Sequence, residues 1–200
     1  MVDRPKIELT DSQRRAELLK MVIHFHGEQR RKYSDEPYWF HVLAVANIAK
    51  RLHDLAWEIA VCHDLLEDTY CTRNSLYETL KECGYSLEES VFISEGVIGL
   101  TDVYEKKMFP DKNRVERKTL ERKRLSQLPS LIQSIKYADM IHNTQSIVAD
   151  DKNFAKVYLR EINDTLEVMR EGDFDLFRKL CYLVQDGFNE LSTDHDLKIW

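Results

Sequence analysis

The chain has 200 residues, 43% hydrophobic and 32% charged, an ordinary globular composition and a length that buries one sizeable core. A net charge of −6 excludes non-specific nucleic-acid binding by the surface as a whole. No apolar run reaches the roughly 18 residues of a membrane helix, and the N-terminus carries neither a signal-like nor a transit-like segment, so a cytoplasmic protein without a membrane partner is expected.

Six Gly and four Pro punctuate the chain, and most of it shows helical spacing of apolar residues. A first helix is predicted over 11 to 29, with Thr10 and Gln13 as a capping box and Leu18, Leu19, Val22, Ile23 and Phe25 on one side. Residues 30 to 37 read as a loop. A second helix over 38 to 53 carries Val42, Val45, Ala46 and Ala49, and a third spans 55 to 68. After a turn over 69 to 75, helices are predicted over 75 to 83, stopped by Gly84, and over 87 to 101. Residues 102 to 113 are a loop, followed by a basic helix to 126 that ends before Pro129. A helix over 130 to 148 carries Ile132, Ile135, Ala138 and Ile141, and two more cover 153 to 170 and 174 to 191. The expected fold class is all-α, a bundle of eight or so helices. One domain is expected over 1 to 150, with C-terminal helices over 151 to 200 packed on or extending it.

Four cysteines, at 62, 71, 83 and 181, form no Cys-x-x-Cys pair, which excludes a zinc ribbon or thioredoxin motif and leaves free thiols in a reducing compartment. The segment 112 to 124 holds Lys112, Arg114, Arg117, Lys118, Arg122, Lys123 and Arg124 against Glu116 and Glu121, a net of +5 in a chain of −6. A solvated helix face laced by i,i+4 ion pairs is the plain reading of such a run.

The chemistry concentrates in CHDLLEDT. On the predicted helix His63 and Glu67 stand i,i+4, as do Asp64 and Asp68, so four ionisable groups share one face. Three carboxylates among Ile59, Ala60, Leu65 and Leu66 are costly to bury, and a divalent cation resolves their repulsion. One helix cannot close a metal site alone. His41 and Asp139, polar residues on apolar helices, are the candidates to complete it, and Asp139 lies on a polar stripe with His142 and Asn143. Two nitrogens and two carboxylate oxygens suit Mn²⁺, Fe²⁺, Co²⁺ or Zn²⁺ better than Ca²⁺. Singly, each residue has a plainer reading. His24, His53 and His195 read as surface or core histidines, His41 as a satisfied core histidine, and Asp139 as a partner of Lys136. The signal lies in the combination.

The order His … His-Asp … Asp resembles the HD superfamily of metal-dependent phosphohydrolases. More closely, the chain is similar to the hydrolase domain of RelA/SpoT-type enzymes, in four blocks over roughly residues 15 to 150: HGEQRRKYSDEPYWFH, HDLLEDT, LTD with the basic helix after it, and IKYADMIHNT. That resemblance implies an HD-domain helical bundle that hydrolyses the 3′-pyrophosphate of the guanosine alarmones ppGpp and pppGpp. It implies His41, His63, Asp64 and Asp139 as ligands of one metal ion, usually Mn²⁺. It implies Glu67 and Asp68 as the pair that orients and deprotonates the attacking water. It places Arg31 and Lys32 beside the guanine base and Asn143 near the ribose or phosphates, and gives Arg117 and Lys118 a role in gathering phosphates. The chain departs from the family where Asp35 stands in place of a common Gly and Val42 in place of a common Pro. These departures touch the recognition loop and leave the exact nucleotide open. A hydrolase of another nucleotide, a catalytically inactive nucleotide-binding HD protein and a purely structural bundle are the competing readings, and a homo-oligomer is compatible with all of them.

Overall fold

The computed structural model describes residues 9–32 and 34–196, with side chains to residue 192. His195 lies outside the described side chains. Among the described residues the regular elements are all helices, without a named strand: α1 (Asp11–His26), α2 (Trp39–Ala49), α3 (Ala56–Val61), α4 (Leu65–Asp68), α5 (Arg73–Glu82), α6 (Leu87–Leu100), α7 (Arg114–Leu125), α8 (Ser130–Asp150), α9 (Lys152–Val168) and α10 (Phe174–Asp196). The expected all-α class holds.

Helix starts follow local chemistry. Thr10 and Gln13 form the predicted capping box, and Thr72/Ser75, Ser86/Glu89 and Asn113/Glu116 form others. The cap at Thr72 starts α5 inside the segment read from sequence as a turn.

The central element is the short α3, every residue of which is buried, Glu58 included. It packs against α1, α2, α6 and α8. Glu58 is tolerated there because Arg15 Nε and the Tyr85 hydroxyl donate to it at 2.8 and 3.2 Å. The predicted continuous helix over 55 to 68 does not form. Residues 62–64 are a turn that separates α3 from α4. Tight bonds replace the i→i−4 ladder: His63 N–H donates to Ala60 O, Leu65 N–H to Cys62 O and Glu67 N–H to Asp64 O. Such an interruption inside a buried helix often marks a functional position.

The loop before α2 is closed by paired bonds, Arg31 N–H to Glu36 O and Tyr38 N–H to Gln29 O, around an isolated bridge between Arg30 and Pro37. Asp35 sits there at φ +54°. Asp is among the few side chains that visit this left-handed region, which otherwise favours Gly.

α9 and α10 pack on α8, and their apolar faces join the same core as α2, α3 and α6. The turn between them is sewn to α8: Gln133 Oε1 accepts from Glu171 N–H, Ser134 Oγ from Asp173 N–H, and the Tyr137 hydroxyl donates to Met169 O. Gly172 allows this approach, because a Cβ there would overlap the Tyr137 ring and press on Ser134 N at 3.0 Å. Gly172→Ala is expected to cost about 1–3 kcal/mol by overpacking, read as a lowered urea midpoint with an unchanged m-value. An unchanged midpoint would contradict the close fit.

Candidate metal centre

α2, the α3–α4 turn and α8 bring His41, His63, Asp64 and Asp139 to one point, and all but Asp64 are at most 5% exposed. The turn lets the adjacent residues His63 and Asp64 converge, which a regular helix would splay apart by about 100°. His63 Nε2 lies 3.1 Å from Asp64 Oδ2 and 3.6 Å from Asp139 Oδ1, and His41 Nε2 lies 3.5 and 3.3 Å from the same atoms. His41, His63 and Asp64 form the compact donor group. Asp139 falls outside it but turns one oxygen towards both imidazoles, while Lys136 Nζ holds the other at 3.0 Å.

The donor set fits a divalent cation. Both Nε2 atoms are buried and make no hydrogen bond of acceptable geometry. Separations of 3.1–3.6 Å between nitrogens and oxygens put such atoms about 2 Å from a shared centre, the length of a metal–nitrogen or metal–oxygen bond. His63 Nδ1 lies 2.7 Å from Ala60 O, a carbonyl that can only accept, so the proton sits on Nδ1 and Nε2 is left as a bare donor to metal.

The electrostatics are those of a site that needs a cation. Burial works against a charge on His63, but Asp64 and Asp139 outweigh it and hold its basicity well above the ordinary value. Burial would raise both carboxyls, but His63 and His41 hold Asp64, and Lys136 with the two histidines holds Asp139, well below the usual range. Without metal, a proton on His63 serves as counter-charge to the carboxylates. A divalent cation does that job with a larger charge.

Glu67 and Asp68 make different hydrogen bonds. Glu67 Oε1 accepts from Asp102 N–H in the LTD segment, and burial pushes its carboxyl up to about 8, against the pull of Lys136. Asp68 accepts from Gln29 Nε2 at 3.5 Å and lies by the Tyr38 hydroxyl; burial and Asp64 raise its carboxyl. Glu67 feels Asp102, Lys136 and Asp64, and Asp68 feels Asp64 and the Tyr38 hydroxyl.

Two cavities flank the centre and share Asn143. One, of about 350 Å³, is lined by Arg31, Lys32, Tyr38, Ser146 and Phe154. The other, of about 170 Å³, is lined by Lys118, Arg122, Lys136, Asp139 and Tyr158. Asn143 joins them: its Nδ2 donates to Asp139 Oδ1 at 2.6 Å and its Oδ1 accepts from Arg31 Nη1 at 3.0 Å. Arg31 also donates to Ser146 Oγ, and Lys32 Nζ lies 5.9 Å from the centre of the Phe154 ring.

The basic segment is tied to neighbouring elements. Its cations mostly pair with acids outside α7: Arg114 with Glu161 and Arg122 with Asp164 of α9, and Lys118 with Asp102. Arg124 pairs with Glu121 and donates to the carbonyls of Gly99 and Thr101, while Glu121 accepts from Val103 and Tyr104 N–H. α7 thus holds the loop that brings Asp102 to Glu67. Lys118 lines the smaller cavity, whereas Arg117 lines neither of these two cavities and donates to Lys112 O.

Three more residues meet at the centre: Tyr38, which received no role from sequence, Lys136, read there as a plain partner of Asp139, and His142, read only as part of its polar stripe. Tyr38 OH donates to Asp64 Oδ2 at 2.8 Å, Lys136 holds Asp139, and His142 Nδ1 lies 2.8 Å from His41 Nδ1. Their helical spacing was a usable signal, since Tyr38 precedes His41 by one turn and Lys136 and His142 flank Asp139 by one turn on either side.

No protein-family model matches the chain. No curated protein matches it either. One solved structure to which the chain is similar is described as a metazoan ortholog of SpoT that hydrolyses ppGpp and plays a role in starvation responses. The two share 20% identity over 89% of this chain and 97% of that one, with a TM-score of 0.72. At that identity the likeness shows the all-α fold they have in common. Among the described residues, no helix is long and apolar enough to cross a membrane.

Proposed function

We propose that this chain is a metal-dependent phosphohydrolase that removes pyrophosphate from the 3′ position of guanosine alarmones, converting ppGpp or pppGpp to GDP or GTP. The observation that carries the hydrolase reading is the pair of buried, unpartnered Nε2 atoms of His41 and His63 converging on Asp64 and Asp139. Those four residues are assigned as ligands of one divalent cation, with Mn²⁺ the ion that the resemblance implies among those such a donor set suits. The alarmone rests on the resemblance of the sequence blocks and on the shared fold.

Bound there, a divalent cation supplies Lewis acidity that polarises a phosphoryl oxygen and makes a water more acidic. The protein does the rest. Glu67 is oriented by Asp102 N–H, and its ionised form takes the proton of the attacking water; burial alone raises that carboxyl to about 8, and a cation bound beside it would favour the ionised form. The water oxygen bonds to the ester phosphorus, the bond from that phosphorus to the 3′ oxygen breaks, and the proton taken by Glu67 balances the one the 3′ oxygen needs. Lys136 and Lys118 face the smaller cavity and counter the charge of the departing pyrophosphate. Arg31 and Lys32 line the larger cavity, which has room for a purine; Arg31 offers a planar, weakly hydrated face for stacking. Four free thiols suit the reducing cytosol, where such nucleotides occur.

Arg31→Ala is expected to raise KM about tenfold or more, because hydrogen bonds to charged groups are worth about 1.5–3 kcal/mol. A large loss of kcat at unchanged KM would remove Arg31 from base binding. The substrate assignment is tested with a nucleotide panel: ppGpp and pppGpp against GDP, GTP and nucleoside monophosphates. Selective release of pyrophosphate from the first two supports it, and equal or better turnover of the others overturns it.

A further inference from the structure

Both histidines assigned to the cation need their second ring nitrogen fixed, and the structure fixes them unequally. His63 leans on the carbonyl of Ala60 at 2.7 Å. His41 has no such carbonyl; its Nδ1 instead meets Nδ1 of His142 at 2.8 Å, with ring centres 4.9 Å apart at 48°. At that distance one hydrogen, and only one, lies between the two nitrogens, because two lone pairs repel and two N–H groups collide.

The position of that hydrogen decides what His41 can do. If it belongs to His142, the proton of His41 is on Nε2 and points at Asp64 and Asp139, and the ring cannot bind metal. If it belongs to His41, Nε2 carries a bare lone pair aimed at the same carboxylates, and the ring is a ligand. The geometry points to His142 as the positioning residue for the metal centre: it accepts the Nδ1 hydrogen of His41 and so presents His41 Nε2 to the cation. This inference rests on the metal reading above and adds to it a residue that touches neither cation nor substrate. α8 therefore contributes twice, with Asp139 as ligand and His142, one turn further on, as the group that readies His41.

A structural filler and a hydrogen-bond acceptor behave differently under substitution. The amide oxygen of Asn reaches close to where Nδ1 of His lies and accepts but, at that atom, cannot donate; Leu fills space and does neither. His142→Leu is expected to weaken Mn²⁺ binding about 10–100-fold, the usual cost of removing an outer partner of a metal-bound histidine, while His142→Asn stays near the unaltered protein. The measurement is Mn²⁺ affinity by competition with a fluorescent chelator, on protein first stripped of metal and shown folded by its melting curve. Equal affinity in His142→Leu, or a loss in His142→Asn as large as in His142→Leu, overturns the role. Nitrogen-15 NMR of the unaltered protein loaded with diamagnetic Zn²⁺ provides a second test that does not depend on the folding of the Leu variant. Hydrogen on Nδ1 of His41 and none on Nδ1 of His142 supports the inference, and the reverse overturns it. If the unaltered protein binds neither cation, the metal reading falls together with this one; if it binds and only the His142 results fail, the metal reading stands.

Discussion

Asp64→Ala is expected to abolish metal binding and, with it, turnover. Asp64 Oδ2 is the atom on which both imidazole nitrogens and the Tyr38 hydroxyl converge, at 3.5, 3.1 and 2.8 Å. Its loss takes away a ligand, and Mn²⁺ affinity should fall further than the about 10–100-fold that an outer-partner change costs. The metal-free protein should also weaken, because breaking a buried ion pair by removing one partner costs about 3–5 kcal/mol. The pH window follows from the directions of the shifts. Asp64 and Asp139 are held below their ordinary values, so their contribution is present above about pH 3.9 and fades as pH falls through the depressed values. His63 is held above its ordinary value, so its contribution is full below about pH 6.5 and fades as pH rises through the higher folded value. The deficit in the metal-free variant should therefore be largest between about pH 4 and 6.5. Metal retained at normal stoichiometry would defeat the ligand assignment.

Glu67→Gln is expected to keep the metal, lower kcat by about 10²–10⁴-fold, and stabilise the metal-free chain at neutral pH. The first two effects follow from its assignment as proton acceptor. The third follows from burial, which moves its carboxyl from 4.5 to about 8. Between those values the folded chain holds a proton that the unfolded chain has released. Stability therefore falls as pH rises through that interval, by at most about 1.4 kcal/mol per unit. Gln carries no such proton, so the variant should melt higher than the parent at pH 7 and lose the slope. A variant with near-normal kcat would remove Glu67 from the chemistry; one that melts lower at every pH would contradict the burial argument. A residue that costs stability and supports turnover is a common compromise at active sites.

Much of the fold was readable because it is local. Apolar spacing located the helices, and Thr10 with Gln13 marked the first start to the residue. What escaped was set by tertiary contact. Nothing in the residues Cys62, His63 and Asp64 announces a break, for no Gly or Pro is present. The neighbouring segment is buried to the point that Glu58 is held by Arg15 from α1 and Tyr85 from the α5–α6 turn. The consequence for the site is large, since a continuous helix would have turned the His63 and Asp64 side chains about 100° apart on their shared broad face, with Glu67 and Asp68 beside them. The basic segment shows the same limit. Its charge was plain in the sequence, but its partners Glu161, Asp164 and Asp102 lie on other elements and become visible only in the fold. His142 was visible as part of a polar stripe with Asp139; its partner His41, on α2, was not.

The central claim is best tested on purified protein stripped of metal, given ppGpp with and without added Mn²⁺, with GDP and pyrophosphate followed by chromatography. The account predicts release of both in equal amounts, only when Mn²⁺ is present, and none from Asp64→Ala. No release in the presence of bound Mn²⁺ would contradict the alarmone assignment, and equal release without any divalent cation would contradict the metal centre itself.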